Sequence, residues 1–156
     1  MLHFAYGSNM HHAVMRKHAP TAQPLRPARL EGYRFVVTAD GYASVVPDRS
    51  RHVYGLLWRL TPRDRVTLDL WENIANGLYR AEMLPVMDAG RRRRALVYVA
   101  RRCPFGRPRP GYMEIVVKAA RELSLPAYYI ASLEAWLQQR PLGAGYRRLE
   151  EFGDAD

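Results

Sequence analysis

The sequence predicts an α+β domain: a mixed, largely antiparallel sheet or partial β-barrel with helices packed outside. Three observations carry this expectation. About six short apolar runs have strand character. Their order does not alternate regularly with helical stretches, as a doubly wound parallel sheet would require. The chain has 156 residues, of which 48% are hydrophobic, enough for one domain with a proper core and with little room for two.

Leu2 to Tyr6 is apolar and aromatic and reads as the first strand. It stops at Gly7-Ser8-Asn9, where Ser8 or Asn9 can cap a short helix running to about Lys17. Pro20, Pro24 and Pro27 mark a connector. Tyr33 to Thr38 is rich in β-formers, Asp40-Gly41 is a turn signal, and Ala43 to Val46 forms a short strand before Pro47-Asp48. His52 to Leu60 carries the strongest strand pattern.

Thr61-Pro62-Arg63-Asp64 opens a helix. Thr61 can cap, Pro62 suits the first helical position, and Asp64 supplies an acid in the first turn. That helix ends near Glu72, and Asn76-Gly77 is a turn. Leu78 to Met87 and Arg94 to Ala100 read as two strands joined by Asp88-Ala89-Gly90. After the breaker segment Arg107 to Gly111, Tyr112, Ile115, Val116, Ala119 and Leu123 fall at helical spacing. Pro126 starts a last helix with Tyr129, Leu133, Trp136 and Leu137 on one side. Residues 1–140 are expected to form one domain and 141–156 a tail of loop or disorder.

The chain carries 24 basic and 15 acidic residues, a net charge of +9, and only Lys17 and Lys118 are lysines. Arginine stays charged and suits forked recognition of carboxylates and phosphates, but charge alone supports no function. Cys103 is the only cysteine, which precludes an intramolecular disulfide and fits a reducing compartment. Met1-Leu2-His3-Phe4 lacks a basic segment leading into an apolar stretch, and no apolar run approaches the roughly 18 residues of a membrane span. A cytoplasmic protein without membrane association is expected.

Chemistry has two candidate locations. A strand that ends in Tyr6-Gly7-Ser8-Asn9-Met10 and feeds a helix gathers backbone N–H groups at one spot, where a carboxylate or oxyanion can be held. Taken alone, this is an ordinary strand-to-helix turn. Glu72 stands one helical turn above Leu68 and next to Trp71, so apolar surface would raise its pKa toward neutrality. Taken alone, it is an exposed glutamate at a helix end, where the helix dipole opposes its charge.

An ordered set of motifs joins the two. Phe4-Ala5-Tyr6-Gly7-Ser8-Asn9-Met10 resembles the opening motif of the γ-glutamylcyclotransferases, including their AIG2-like and γ-glutamylamine cyclotransferase relatives. Val53-Tyr54-Gly55-Leu56-Leu57-Trp58 is similar to the strand before that family's catalytic helix, and Leu68-Asp69-Leu70-Trp71-Glu72 to its Leu-Asp-x-x-Glu segment. Gly77-Leu78-Tyr79 follows at the family's spacing, and Tyr112 opens a helix where the family places another substrate-side tyrosine. The likeness runs from residue 4 to about 137. One departure is Asn73, where many members have glycine; asparagine also tolerates left-handed backbone, but the fit of substrate beside Glu72 can differ.

The resemblance implies a γ-glutamylcyclotransferase-like fold and a cyclisation that releases 5-oxoproline from a γ-glutamyl compound. Glu72 would be the general acid/base. Tyr6, Gly7, Ser8, Asn9 and Met10 would form the substrate cradle with Tyr79 and Tyr112, and no metal or organic cofactor would be needed. The substrate would be a small γ-glutamyl dipeptide, amine or isopeptide, or a γ-glutamyl group on a carrier protein. The leaving group and the oligomeric state stay open.

Rival constellations are weaker. Gly7-Ser8-Asn9 is not a serine-hydrolase elbow. His11, His12 and His18 have no metal-ligand spacing, and Cys103 has no evident activating partner. Arg91 to Arg94, with Arg101, Arg102, Arg107 and Arg109, form a basic cluster that reads first as a solvated hairpin and strand edge. Nucleic acid is not the expected partner. The alternative to an enzyme is a non-catalytic binding or adaptor protein of the same fold that uses this surface for nucleic acid or an acidic partner.

Overall fold

A computed structural model describes residues 1–138; the expected tail at 141–156 and the last two residues of the expected 1–140 domain lie outside the described residues. Five strands, β1 (Leu2–Ala5), β2 (Gln23–Val37), β3 (Ala43–Arg59), β4 (Tyr79–Asp88) and β5 (Arg91–Ala100), close into a barrel in the order β1-β3-β2-β4-β5. All neighbours pair antiparallel except β1 and β5, which meet in parallel at His3 and Leu96. Four helices accompany the sheet: α1 (His12–His18), α2 (Pro62–Trp71), α3 (Tyr112–Glu122) and α4 (Ala127–Glu134). A mixed barrel with helices is the expected class.

Two expectations are corrected. Among the described residues the strands number five, because the runs at Ala43–Val46 and His52–Leu60 belong to one long strand, β3. The proline-rich connector at Pro24 and Pro27 lies inside β2, not between elements. Proline cannot donate to a ladder, so a strand accepts it where pairing is already irregular. The β2–β3 register shifts between Pro24 and Pro27, and again between Glu31 and Tyr33, opposite Pro47–His52. These irregularities let the prolines stay in paired strands.

The core is formed by the inward sides of all five strands and the apolar face of α3. Phe4, Leu57, Trp58, Val97, Met113 and Val116 are at most 1% exposed, and each such side chain stabilises the fold by about 1.5–3 kcal/mol. β1 lies close enough to β3 that a Cβ on Gly55 would collide with the Ala5 carbonyl oxygen and come within 2.8 Å of the Phe4 ring. Both obstacles are buried, and one is backbone.

Replacing Gly55 with alanine should therefore destabilise the protein by about 1–3 kcal/mol through overpacking, seen as a lowered urea midpoint. Because Ala5 leads directly into the Tyr6 turn, the same variant should also speed amide exchange in β1.

Candidate active site

The mouth of the barrel is where β1 ends, β3 and β4 begin, and α2 and α3 present their ends. A cleft there is lined by residues 5–9, Ala43, Glu72, Tyr79, Tyr98 and Tyr112. Sequence-distant segments meet in it: the turn after β1, the end of α2, the start of β4 and the start of α3.

Three buried phenols shape the cleft. The Tyr6 hydroxyl donates to the Tyr98 carbonyl at 2.5 Å, and the Tyr79 hydroxyl to the Ala43 carbonyl at 2.7 Å. The Tyr112 hydroxyl accepts the Ala43 N–H at 3.2 Å and the Ser8 N–H at 3.4 Å. Its own proton therefore points away from both. Burial raises the pKa of Tyr6 and Tyr79 well above the ordinary value and that of Tyr112 to about 12, and the Glu72 charge adds to each shift. All three are neutral near pH 7.

Gly7 is required by this arrangement. A Cβ there would stand 2.5 Å from the Tyr112 hydroxyl oxygen, which its two N–H partners hold in place. Ser8–Met10 forms a single 3-10 turn before α1. Neither Ser8 nor Asn9 caps it with a side chain, contrary to expectation, because Gly7 and His11 occupy the cap positions. The Asn9 side chain is used elsewhere: its amide N–H donates to Glu72 Oε1 at 3.5 Å, and its Oδ1 lies 3.1 Å from His18 Nδ1.

The expected start of α2 holds. Thr61 Oγ1 accepts the Asp64 N–H at 3.2 Å, and the Asp64 carboxylate accepts the Thr61 N–H at 3.0 Å, a complete capping box. Its end positions the carboxylate. Asn73 adopts φ 54°, with its N–H on the Leu70 carbonyl at 3.2 Å and the Ile74 N–H on that of Asp69 at 3.1 Å. This is a Schellman closure, which makes Glu72 the last residue of the helical turn. Glu72 is half-buried at the cleft wall, because a helix end at the mouth keeps one side open. Tyr98 ties the same helix to β5 by donating to Asp69 Oδ1 at 2.7 Å.

The structure thus brings Tyr6, Gly7, Ser8, Asn9, Glu72, Tyr79 and Tyr112 to one cleft. Met10 falls outside it: its side chain is 1% exposed in the core, and its N–H is bonded to the Gly7 carbonyl at 3.0 Å. Sequence reasoning missed His3, Trp71 and Tyr98, which line the cleft, and His18, which packs behind it. Alternation along β5 could have placed Tyr98 opposite Val97; no spacing signal marks His18. The three histidines noted in the sequence go separate ways: His11 is buried ahead of α1, His12 packs edge-on against Trp58, and His18 stacks on Trp71. The expected basic cluster is also divided. Arg91–Arg94 lie exposed at the hairpin end of β5, whereas Arg101 lies beside Gly77 and Arg109 over the Tyr42 ring, at the cleft end. Among the described residues no helix is long and apolar enough to cross a membrane.

Comparison with known proteins places the fold in a known family. The family model of the AIG2-like family matches residues 52–133. Curated γ-glutamylcyclotransferases from Homo sapiens and Mus musculus are each 25% identical over 145 residues, covering 86% of this chain and 77% of theirs. A solved γ-glutamyl cyclotransferase structure superposes with a TM-score of 0.86 at 24% identity, over 99% of this chain and 96% of that one. YkqA from Bacillus subtilis reaches 0.80 at 24% identity, over 92% of this chain and 56% of its own. The fold is the γ-glutamylcyclotransferase-like barrel.

Tyr112→Phe removes the acceptor of the Ser8 and Ala43 N–H groups. Each buried N–H left without an acceptor costs about 1–3 kcal/mol, so the variant should unfold at lower urea, and exchange at these two amides should accelerate. A second expectation concerns His3, which lies 3% exposed on the cleft floor with Nδ1 on the Leu96 carbonyl at 2.9 Å. Burial lowers its pKa from 6.5 to about 4. Between those values the unfolded chain binds the proton and the folded one does not, so stability should rise with pH across that window by up to about 3 kcal/mol. Urea titrations of the wild type and His3→Leu at pH 4 to 7 should show the variant losing that part of the slope.

Proposed function

The chain belongs to the AIG2-like family, with γ-glutamylcyclotransferases as its curated homologues, and on that premise we propose that it cyclises a γ-glutamyl compound to 5-oxoproline. One observation carries the reading. Glu72, at the end of α2, shares a cleft with the Tyr6–Asn9 turn at the end of β1, two segments more than sixty residues apart whose side chains approach to 3.5 Å.

The chemistry asked of the site is small. The α-amine of the γ-glutamyl group attacks its own side-chain carbonyl. A carbon–nitrogen bond forms within a five-membered ring, and the bond to the attached amine breaks. Because the nucleophile is tethered, much of the entropic cost of attack is already met, with effective molarities of about 10⁵ M or more in favourable cases. Two proton transfers remain. Glu72 accepts the proton that the α-ammonium must lose and delivers it to the departing amine. The Gly7–Asn9 backbone serves the substrate carboxylate or the developing oxyanion. The Tyr112 hydroxyl, held by two N–H donors, lines the pocket beside the bound glutamyl group.

Glu72→Gln preserves size and removes the base. Its rate of 5-oxoproline formation should fall by about 10²–10⁴-fold while its circular dichroism stays that of the wild type. The substrates are γ-glutamyl dipeptides, γ-glutamyl amines, the ε-lysine isopeptide and glutathione, with product read by mass spectrometry. Wild-type turnover by the Gln variant would remove Glu72 from the mechanism. Absence of 5-oxoproline from every substrate with the wild-type protein would favour the binding or adaptor reading.

A further inference from the structure

Behind the cleft wall, α1 ends on a histidine whose contacts reach the proposed base by two routes. His18 Nδ1 lies 3.1 Å from Asn9 Oδ1, and Asn9 Nδ2 donates to Glu72 Oε1. The His18 ring also stacks on Trp71, with centroids 3.7 Å apart and planes at 22°. Trp71 precedes Glu72 in the chain. One side chain therefore contacts both the residue that donates to the carboxylate and the chain neighbour of the residue that bears it.

We propose that His18 is a positioning residue, which orients the Asn9 amide and braces Trp71 so that the Glu72 carboxylate is held for proton transfer. The inference rests on the reading of Glu72 as the proton carrier.

The chemistry of an amide makes the role specific. Asn9 is 8% exposed, so both ends of its amide need partners. Turned one way, its N–H faces the carboxylate and its oxygen faces His18. Turned the other, its oxygen opposes the carboxylate oxygen, an acceptor against an acceptor. An imidazole with its proton on Nδ1 selects the first orientation, because the Asn9 oxygen can only accept. The stacked Trp71 holds the ring in the plane the hydrogen bond needs. At 3.5 Å the final link to Glu72 is at the long end of a hydrogen bond.

His18→Phe keeps an aromatic ring on Trp71 and loses the donor. His18→Gln keeps an N–H donor and loses the aromatic ring. Asn9→Leu removes the link altogether. On the γ-glutamyl substrate turned over fastest, His18→Phe and Asn9→Leu should each lower kcat about tenfold or more, the scale of one hydrogen bond to a charged group, with KM changed far less. The double variant should be no slower than the slower single, because both break the same connection. His18→Gln should recover part of the rate lost in His18→Phe. Independently of turnover, ¹⁵N–¹H spectra of the wild type at pH 8 should show His18 carrying its proton on Nδ1, and Asn9→Leu should shift it toward Nε2.

Wild-type kcat in His18→Phe, or additive losses in the double variant, would overturn the inference, as would an Nε2-protonated His18 in the wild type. The two readings fail separately. Full activity in Glu72→Gln removes the base assignment, and the tautomer of His18 still reports the link to Asn9. An inactive Glu72→Gln beside a fully active His18→Phe removes only the role of His18.

Discussion

The cleft depends on how the backbone of Ala43 is satisfied. A barrel that closes must leave polar backbone groups at its rim, and a rim that is covered by helices cannot leave them to water. Ala43, the first residue of β3, is 4% exposed. Its N–H goes to the Tyr112 hydroxyl and its carbonyl receives the Tyr79 hydroxyl. Two phenols from α3 and β4 thus stand in for the strand that ends there. Tyr112 takes the Ser8 N–H as well, so the turn after β1 is fixed by the same atom. Each phenol can play this part because burial keeps it neutral, able to donate or accept without bringing charge into the rim.

The same economy explains where the carboxylate sits. An ionised glutamate at a helix C-terminus faces the carbonyl end of the dipole, unfavourable by about 0.3–1 kcal/mol. A purely structural helix end would carry lysine or arginine instead, and α2 has no basic residue in its last turn. What the position supplies is direction. The Schellman closure through Asn73 and Ile74 sets the Glu72 backbone, and the Asp69–Tyr98 bond anchors the preceding turn to β5. The carboxylate is then aimed by backbone geometry, with Asn9 and His18 adjusting its final orientation.

Local rules made the frame legible in the sequence. Thr61-Pro62-Arg63-Asp64 announced the start of α2 because a capping box needs only residues three apart. Asn73, noted as a departure from the family's glycine, still closes the helix because asparagine tolerates the left-handed backbone it adopts there. The long strands were harder to read. Proline in β2 and Pro47 in β3 look like breakers, and only the register shifts of the actual pairing accommodate them. Those shifts are tertiary facts. The site was legible in part through the ordered motifs, which brought together the turn, Glu72, Tyr79 and Tyr112. Met10 was drawn in by adjacency, although a 3-10 turn sends its side chain to the core. His18 and Tyr98 escaped because their partners, Asn9 and Asp69, are set by how helices dock, not by spacing along the chain.

The Arg91–Arg94 run and the chemistry of the cleft occupy different ends of one hairpin. β4 and β5 pair from Tyr79 with Ala100 at the cleft to Asp88 with Arg91 at the turn. A strand advances roughly 3.3 Å per residue, so the ends of this ten-residue ladder lie up to about 30 Å apart along the strand. A γ-glutamyl group bound beside Glu72 cannot touch Arg91–Arg94. These arginines could influence turnover only through a substrate large enough to span the hairpin, or by steering an anion from a distance, which salt screens beyond about 10 Å. Part of their charge is already answered locally, because buried Asp88 pairs with Arg26 at 2.5 Å and Arg93 at 3.6 Å. The basic hairpin and the proposed acid-base site are therefore separable properties of one barrel: the charge of Arg91–Arg94 says nothing about cyclisation, and activity on a small substrate would say nothing about these four arginines.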